Sequence, residues 1–168
     1  QAIPTLWQVL ERVSVKSNGL CSVNIELKGV GCVQPFIALY PQLLKQLKYA
    51  PEQLLISSFN HPYLAAIKHA FPHAIIAPLL GGIPLDLAKI MTTLNAYSIN
   101  LDLSFVSQAI VDDAHQRGGK VFVYTVDNPN DIQALKAMGV DGVFSNYPDK
   151  AIAATMMPIT MDYTGWFE

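Results

Sequence analysis

Cysteine is scarce in this chain: Cys21 and Cys32 are the only two among 168 residues. That is too few for a disulfide framework, and a pair of free thiols fits a reducing, cytoplasmic setting. Cys21 falls in a predicted strand, where a small core residue is expected rather than a reactive thiol. Charge is sparse too. Only 14% of residues are charged, and the net charge is −2. The 11 Lys and Arg residues are scattered, so no basic stripe marks a nucleic-acid binder. No apolar run reaches the roughly 18 residues needed to span a bilayer; Ile152 to Ile159 is short and broken by Pro158. No G-x-G-x-x-G opens the first strand-to-helix turn, which counts against a dinucleotide fold. The chain starts at Gln1 rather than Met and shows no signal peptide. A processed product, or a piece of something longer, is the expectation.

What the chain has in quantity is apolar residues, 51% of the total. That fits a sheet wrapped by helices, and equally a chain that leaves apolar surface for a partner. At 168 residues, one domain with a real core is expected.

The order of predicted elements is regular. Thr5 caps a helix in which Leu6, Val9, Leu10 and Val13 recur at helical spacing, and Asn18-Gly19 ends it. A strand follows, then a loop over 29–35. A helix is predicted over 36–49, with Pro41 a kink or a restart. Strands are predicted over 54–59, 74–80, 98–103, 120–126 and 140–145. The helices between and after them are predicted at 63–70, about 85–94, 106–116 and from Asn128 to Met138, with a last one beginning near Asn146. Pro62 takes the favoured first position of its helix. Asn128 or Asp127 is the expected cap of the helix that Pro129 opens. The aromatic tail over 158–168 has no predicted place. Strand then helix, six times over, means parallel strands with crossover helices. An open doubly wound sheet and part of a barrel both remain. A full barrel typically needs about 250 residues. At roughly 30 residues per unit, this chain is about two units short. A leading helix without its own strand places the missing part in front.

The pivotal stretch is Cys21-Ser22-Val23-Asn24-Ile25-Glu26-Leu27-Lys28-Gly29. Alternation along a strand puts Val23, Ile25 and Leu27 on one face and Asn24, Glu26 and Lys28 on the other. A strand covered on both sides by apolar layers should not carry an amide, a carboxylate and an ammonium in a row. In a parallel barrel that polar face points inward near the catalytic mouth. A half-exposed antiparallel strand would show the same alternation.

Several stretches resemble the glycerophosphodiester phosphodiesterase family, a TIM-barrel family. They are Ile3-Pro4-Thr5-Leu6 with Val9-Leu10, then Asn24-Ile25-Glu26-Leu27-Lys28, Ser57-Ser58-Phe59, and Val123-Tyr124-Thr125-Val126-Asp127 with Pro129. The last is Gly139-Val140-Asp141-Gly142-Val143-Phe144-Ser145-Asn146 with Pro148. The resemblance covers Ile3 to Ala151 in the family's order and implies an α/β fold of (β/α) barrel type. About six of eight units would be present, strands three to eight, as one domain over 1–168. It implies metal-dependent hydrolysis of glycerophosphodiesters to glycerol 3-phosphate and an alcohol, through a cyclic intermediate with two histidines as acid and base. A divalent cation, Mg²⁺ or Ca²⁺, would be held by carboxylates.

Position by position, Glu26 matches a metal-binding carboxylate. Lys28 matches the lysine facing the phosphate, with a catalytic and substrate-binding role. Phe59 and Tyr124 match residues lining the mouth. Three positions depart from the family pattern, which usually has tryptophan at Tyr124, asparagine at Asp127 and aspartate at Asn146. The family's His-Arg pair, Glu-x-Asp and second histidine would all precede Ile3, so the chain alone is expected to be inactive, with its cation weakly bound. The four histidines do not replace them. His61 is expected to cap a helix or touch the mouth, and His69, His73 and His115 to lie outside. Asp102 is expected to face the mouth or to take an inter-strand or capping role. Two rivals stand: a module that pairs with a second copy through exposed sheet edges, and a different phosphate-binding barrel enzyme.

Overall fold

The computed structural model describes residues 2–19 and 21–167. The chain divides into two compact units, residues 1–76 and 77–168.

The first unit opens with helix α1 (Leu6–Lys16). The Thr5 hydroxyl accepts from Gln8 N at 3.3 Å, and Gln8 Oε1 accepts from Thr5 N at 2.9 Å. This reciprocal cap satisfies two donors that the first turn leaves over. Leu10 on the inner face is fully buried. Asn18 and Gly19 stop the helix with φ of 51° and 73°, the left-handed turn that favours these two residue types.

Strand β1 (Val23–Glu26) is shorter than its sequence pattern and pairs in parallel with β2 (Leu54–Ser58). Cys21 therefore precedes the strand. It is exposed, which corrects the expectation of a core residue. Past the ladder, Leu27 N donates to Ser57 O at 2.8 Å and Ser58 Oγ donates to Leu27 O at 2.6 Å.

Helix α2 (Val33–Gln46) begins three residues earlier than its predicted start. Pro35 lies in its first turn, where a missing N–H breaks no bond. Pro41 neither ends nor restarts the helix. Phe36, Tyr40 and Leu43, spaced four and three apart, are buried on one side and hold both halves down. The Tyr40 ring packs 4.8 Å from Phe71, and the Tyr49 hydroxyl donates to Leu10 O at 2.9 Å. Helix α3 (His61–Ala70) has Asn60 at its cap, so His61 is its first residue and Pro62 its second.

In the second unit the strands β3 (Ile75–Leu80), β4 (Ser98–Asp102), β5 (Lys120–Tyr124) and β6 (Gly142–Val143) form successive parallel pairs. The helices are α4 (Lys89–Leu94), α5 (Gln108–Gln116), α6 (Pro129–Ala137) and α7 (Pro148–Met156). Helix α4 is shorter than expected because its predicted first turn contains Leu87 at φ 51°, which no α-helix accommodates. Asn128 caps α6, accepting from Asn130 N at 2.9 Å. The core joins Ile99, Leu101, Val121 and Val123 of the sheet to Ile110, Val111, Ile132 and Leu135 of the helices. The tail also finds a place here. Tyr163 is buried against Trp166, with ring centroids 5.3 Å apart, and the indole Nε1 donates to Asp131 Oδ1 at 3.0 Å.

Strand β6 has only two residues, yet Asp141 just before it ties three elements together. Its Oδ1 accepts from Lys120 Nζ at 2.8 Å, and its Oδ2 accepts from Val121 N at 2.9 Å and lies 2.9 Å from His115 Nε2. Burial raises the Asp141 carboxyl, but Lys120, His115 and the Val121 N–H outweigh it and hold the group below the usual carboxylate range. A depressed carboxylate stabilises the fold above its unfolded value, about 3.9, and that contribution is lost as pH falls through the folded value. Asp141→Asn is expected to melt below the parent at neutral pH, the gap closing as pH drops below about 4. A gap independent of pH in thermal melts would refute the assignment.

Candidate functional site

The two faces of β1 separate as the alternation predicts. Ile25 and Leu27 are each 7% exposed, on the buried apolar face. Glu26 and Lys28 lie on the opposite face, where Lys28 Nζ sits 3.4 Å from Glu26 Oε2. The lysine side chain is 74% exposed, so this ion pair adds little stability. Its ammonium remains open to an incoming anion.

The other oxygen of Glu26 is in a different state. Oε1 is buried and has no hydrogen-bond partner among the described residues. Ser57 is the register partner of Glu26 across the β1–β2 ladder. Its Oγ is likewise buried and unpartnered. Ser57 falls in the family-like stretch Ser57-Ser58-Phe59 but carries no site role in the sequence; its pairing with Glu26 is what distinguishes it. Phe59, two residues further on, is 54% exposed. Glu26, Lys28 and Phe59 thus all belong to the first unit.

Tyr124 belongs to the second unit, where it ends β5 and its hydroxyl donates to Leu80 O at 3.0 Å. Asp102 takes the capping alternative: its Oδ1 accepts from Ser104 N at 2.8 Å. His69 is exposed on α3, the His73 ring lies against Phe71 and His115 faces Asp141. His61 does not cap α3, because Asn60 holds that position. A cavity of about 480 Å³ under the tail, lined in part by Gln108, Met138, Tyr163 and Trp166, contains none of Glu26, Lys28, Phe59 and Tyr124.

Two of the three departures from the family pattern meet each other. Asp127 Oδ2 accepts from Asn146 Nδ2 at 2.9 Å, while Oδ1 accepts from Asn146 N at 2.8 Å and Ser145 Oγ at 2.9 Å. These bonds, those of Asn146 foremost, hold the Asp127 carboxyl below its ordinary range. Exchanging amide and carboxylate between the two positions keeps one donor facing one acceptor. Asn146→Asp alone sets two carboxylates at contact and is expected to lower the melting temperature near neutral pH. The loss should shrink in mild acid, where one carboxyl of such a pair retains its proton. Adding Asp127→Asn should restore the parent melt. A double variant no better than the single one would refute the pairing.

A hard divalent cation takes six or more oxygen ligands. Glu26 offers one carboxylate, and no group of three His, Cys, Asp or Glu suited to a metal occurs among the described residues. The described residues therefore fit one corner of such a site and not the whole of it.

The profile of the glycerophosphoryl diester phosphodiesterase family matches residues 1–150. A glycerophosphodiester phosphodiesterase of Caldanaerobacter subterraneus is 31% identical over 158 residues, covering 90% of this chain and 61% of its own length. Among solved structures, an Oleispira antarctica phosphodiesterase in complex with the product sn-glycerol-3-phosphate is 29% identical with a TM-score of 0.79. The match covers 92% of this chain and 62% of that one. A glycerophosphodiester phosphodiesterase from Parabacteroides distasonis shares the fold at 21% identity, with a TM-score of 0.74 over 89% of this chain and 63% of its own. The chain thus spans about three-fifths of the length of the relatives it matches. The α/β class of (β/α) barrel type, with six of eight strand–helix units, agrees with these matches. The chain belongs to the glycerophosphoryl diester phosphodiesterase family.

Proposed function

We propose that this chain contributes strands three to eight, as a single domain, to a glycerophosphodiester phosphodiesterase that hydrolyses its substrate to glycerol 3-phosphate and an alcohol. One observation carries the reading: the carboxylate that ends β1 and the ammonium two residues beyond it lie 3.4 Å apart, and one carboxylate oxygen lacks a partner among the described residues. Lys28 offsets charge on the phosphoryl oxygens. Glu26 is one oxygen ligand of a divalent cation, Mg²⁺ or Ca²⁺, which when bound would stabilise the same charge. Phe59 and Tyr124 each keep the substrate-binding role that the resemblance gives their positions. A cytoplasmic setting is part of this reading; no helix among the described residues is long and apolar enough to cross a membrane.

The test is titration of the ¹⁵N-labelled chain with glycerol 3-phosphate and with glycerophosphocholine, followed by nuclear magnetic resonance. Shifts centred on the amides of Glu26, Lys28 and Phe59, and weakened by Lys28→Ala, are expected. Shifts centred elsewhere overturn the reading.

A second reading, association between copies, is favoured by the apolar side chains that α7 and the tail leave exposed, Ile152, Met156, Met157 and Met161 among them. A clean monomer in size-exclusion chromatography overturns it.

A further inference from the structure

Glu26 and Ser57 are paired in parallel register, so their side chains rise from the same side of neighbouring strands. Glu26 Oε1 and Ser57 Oγ are both buried, and neither has a hydrogen-bond partner among the described residues. They consequently do not bond each other. Buried polar atoms are nearly always satisfied, and leaving one unsatisfied costs free energy that apolar replacement would recover. The next residue on β2 makes the contrast: Ser58, equally buried, donates to Leu27 O at 2.6 Å. Of two adjacent buried serines, one completes the backbone ladder and the other is left open beside an open carboxylate oxygen.

We propose that Ser57 is a ligand-contacting residue and that it works with Glu26 Oε1 as a pair. This rests on the functional reading above and extends it to a residue that reading does not use. A carboxylate oxygen only accepts, whereas a serine hydroxyl both donates and accepts. The group that satisfies both is an O–H: it donates to Glu26 Oε1 and accepts from Ser57 Oγ. A bare phosphoryl oxygen cannot, because it has no proton for the carboxylate. Two sources supply such an O–H, a hydroxyl of the glycerol moiety or a water carried by a divalent cation.

Ser57→Ala decides the matter in the 168-residue chain. With no bond to lose, the variant is expected to melt about 2–4 °C above the parent. Its affinity for the O–H ligand should fall by about 3- to 10-fold. Glycerol 3-phosphate, inorganic phosphate and Mg²⁺ are titrated separately. A loss confined to glycerol 3-phosphate identifies the glycerol hydroxyl; a loss for Mg²⁺ alone identifies cation-borne water; both support the pair. A melt below the parent means Ser57 is already bonded within the fold and overturns the proposal. So does unchanged affinity for both glycerol 3-phosphate and Mg²⁺. If the parent chain itself binds neither ligand, the phosphodiesterase reading of this face falls, and the Ser57 role falls with it. Intact binding that ignores Ser57 removes only the latter.

Discussion

Incubated alone with glycerophosphocholine and Mg²⁺ or Ca²⁺, the 168-residue chain is expected to release no glycerol 3-phosphate, or a negligible amount. The reason is ligand arithmetic. A hard cation draws six or more oxygens around it. The described residues supply the Glu26 carboxylate and no set of three candidate ligands. Lys28 can lower the charge on a bound phosphate, but removing a single electrostatic contact of this sort in an enzyme costs about 10²–10³ in rate. On the proposed reading, the lysine alone cannot support a reaction that also calls for a bound cation and an acid–base pair. Of the four histidines, His115 is committed to Asp141 and His73 lies edge-on to Phe71. Robust product release in a coupled glycerol 3-phosphate assay would show that the chain assembles a complete site by itself, and would overturn the expectation.

Leu101→Ala is expected to have the largest effect on stability. Leu101 is fully buried, the fourth of five residues of β4, in register with Val123 of β5 and Leu80 of β3. It belongs to the core that joins this sheet to α5 and α6. Truncating such a leucine removes transfer free energy and leaves a cavity, about 2–5 kcal/mol together. In a chain of this length that lowers the melting temperature by about 5–20 °C. Leu101→Met, which nearly conserves volume, should lose less than about 1.5 kcal/mol. Equal losses for both variants would mean that side-chain shape at this position, rather than the cavity, controls the fold.

Much of this was legible in the sequence, and for identifiable reasons. The Glu26 strand could be read because three apolar and three polar residues alternate without a break. The caps at Thr5 and Asn128 could be read because the bonds they make are local. Boundaries were less legible where a proline has two possible meanings. Pro35 sits within the first turn of α2 rather than before it, and Pro41 is carried inside a helix that tertiary packing secures. Cys21 was misread because the strand starts at Val23, beyond it. The tail could not be placed because its anchors, Asp131 for Trp166 and the packing around Tyr163, come from distant sequence. Within the candidate site, Glu26 and Lys28 announced themselves by charge. Ser57 did not, because its meaning depends on the strand beside it.

The Asp127–Asn146 contact constrains how this chain and its relatives can interconvert. Between the arrangement here and the exchanged one that the resemblance gives the family lie two single-change midpoints. One has amides at both positions and keeps a donor facing an acceptor after a simple amide flip. The other sets anion against anion. Traffic between the two forms therefore runs through the doubly neutral midpoint, and a family survey should turn up Asn–Asn sequences far more often than Asp–Asp ones.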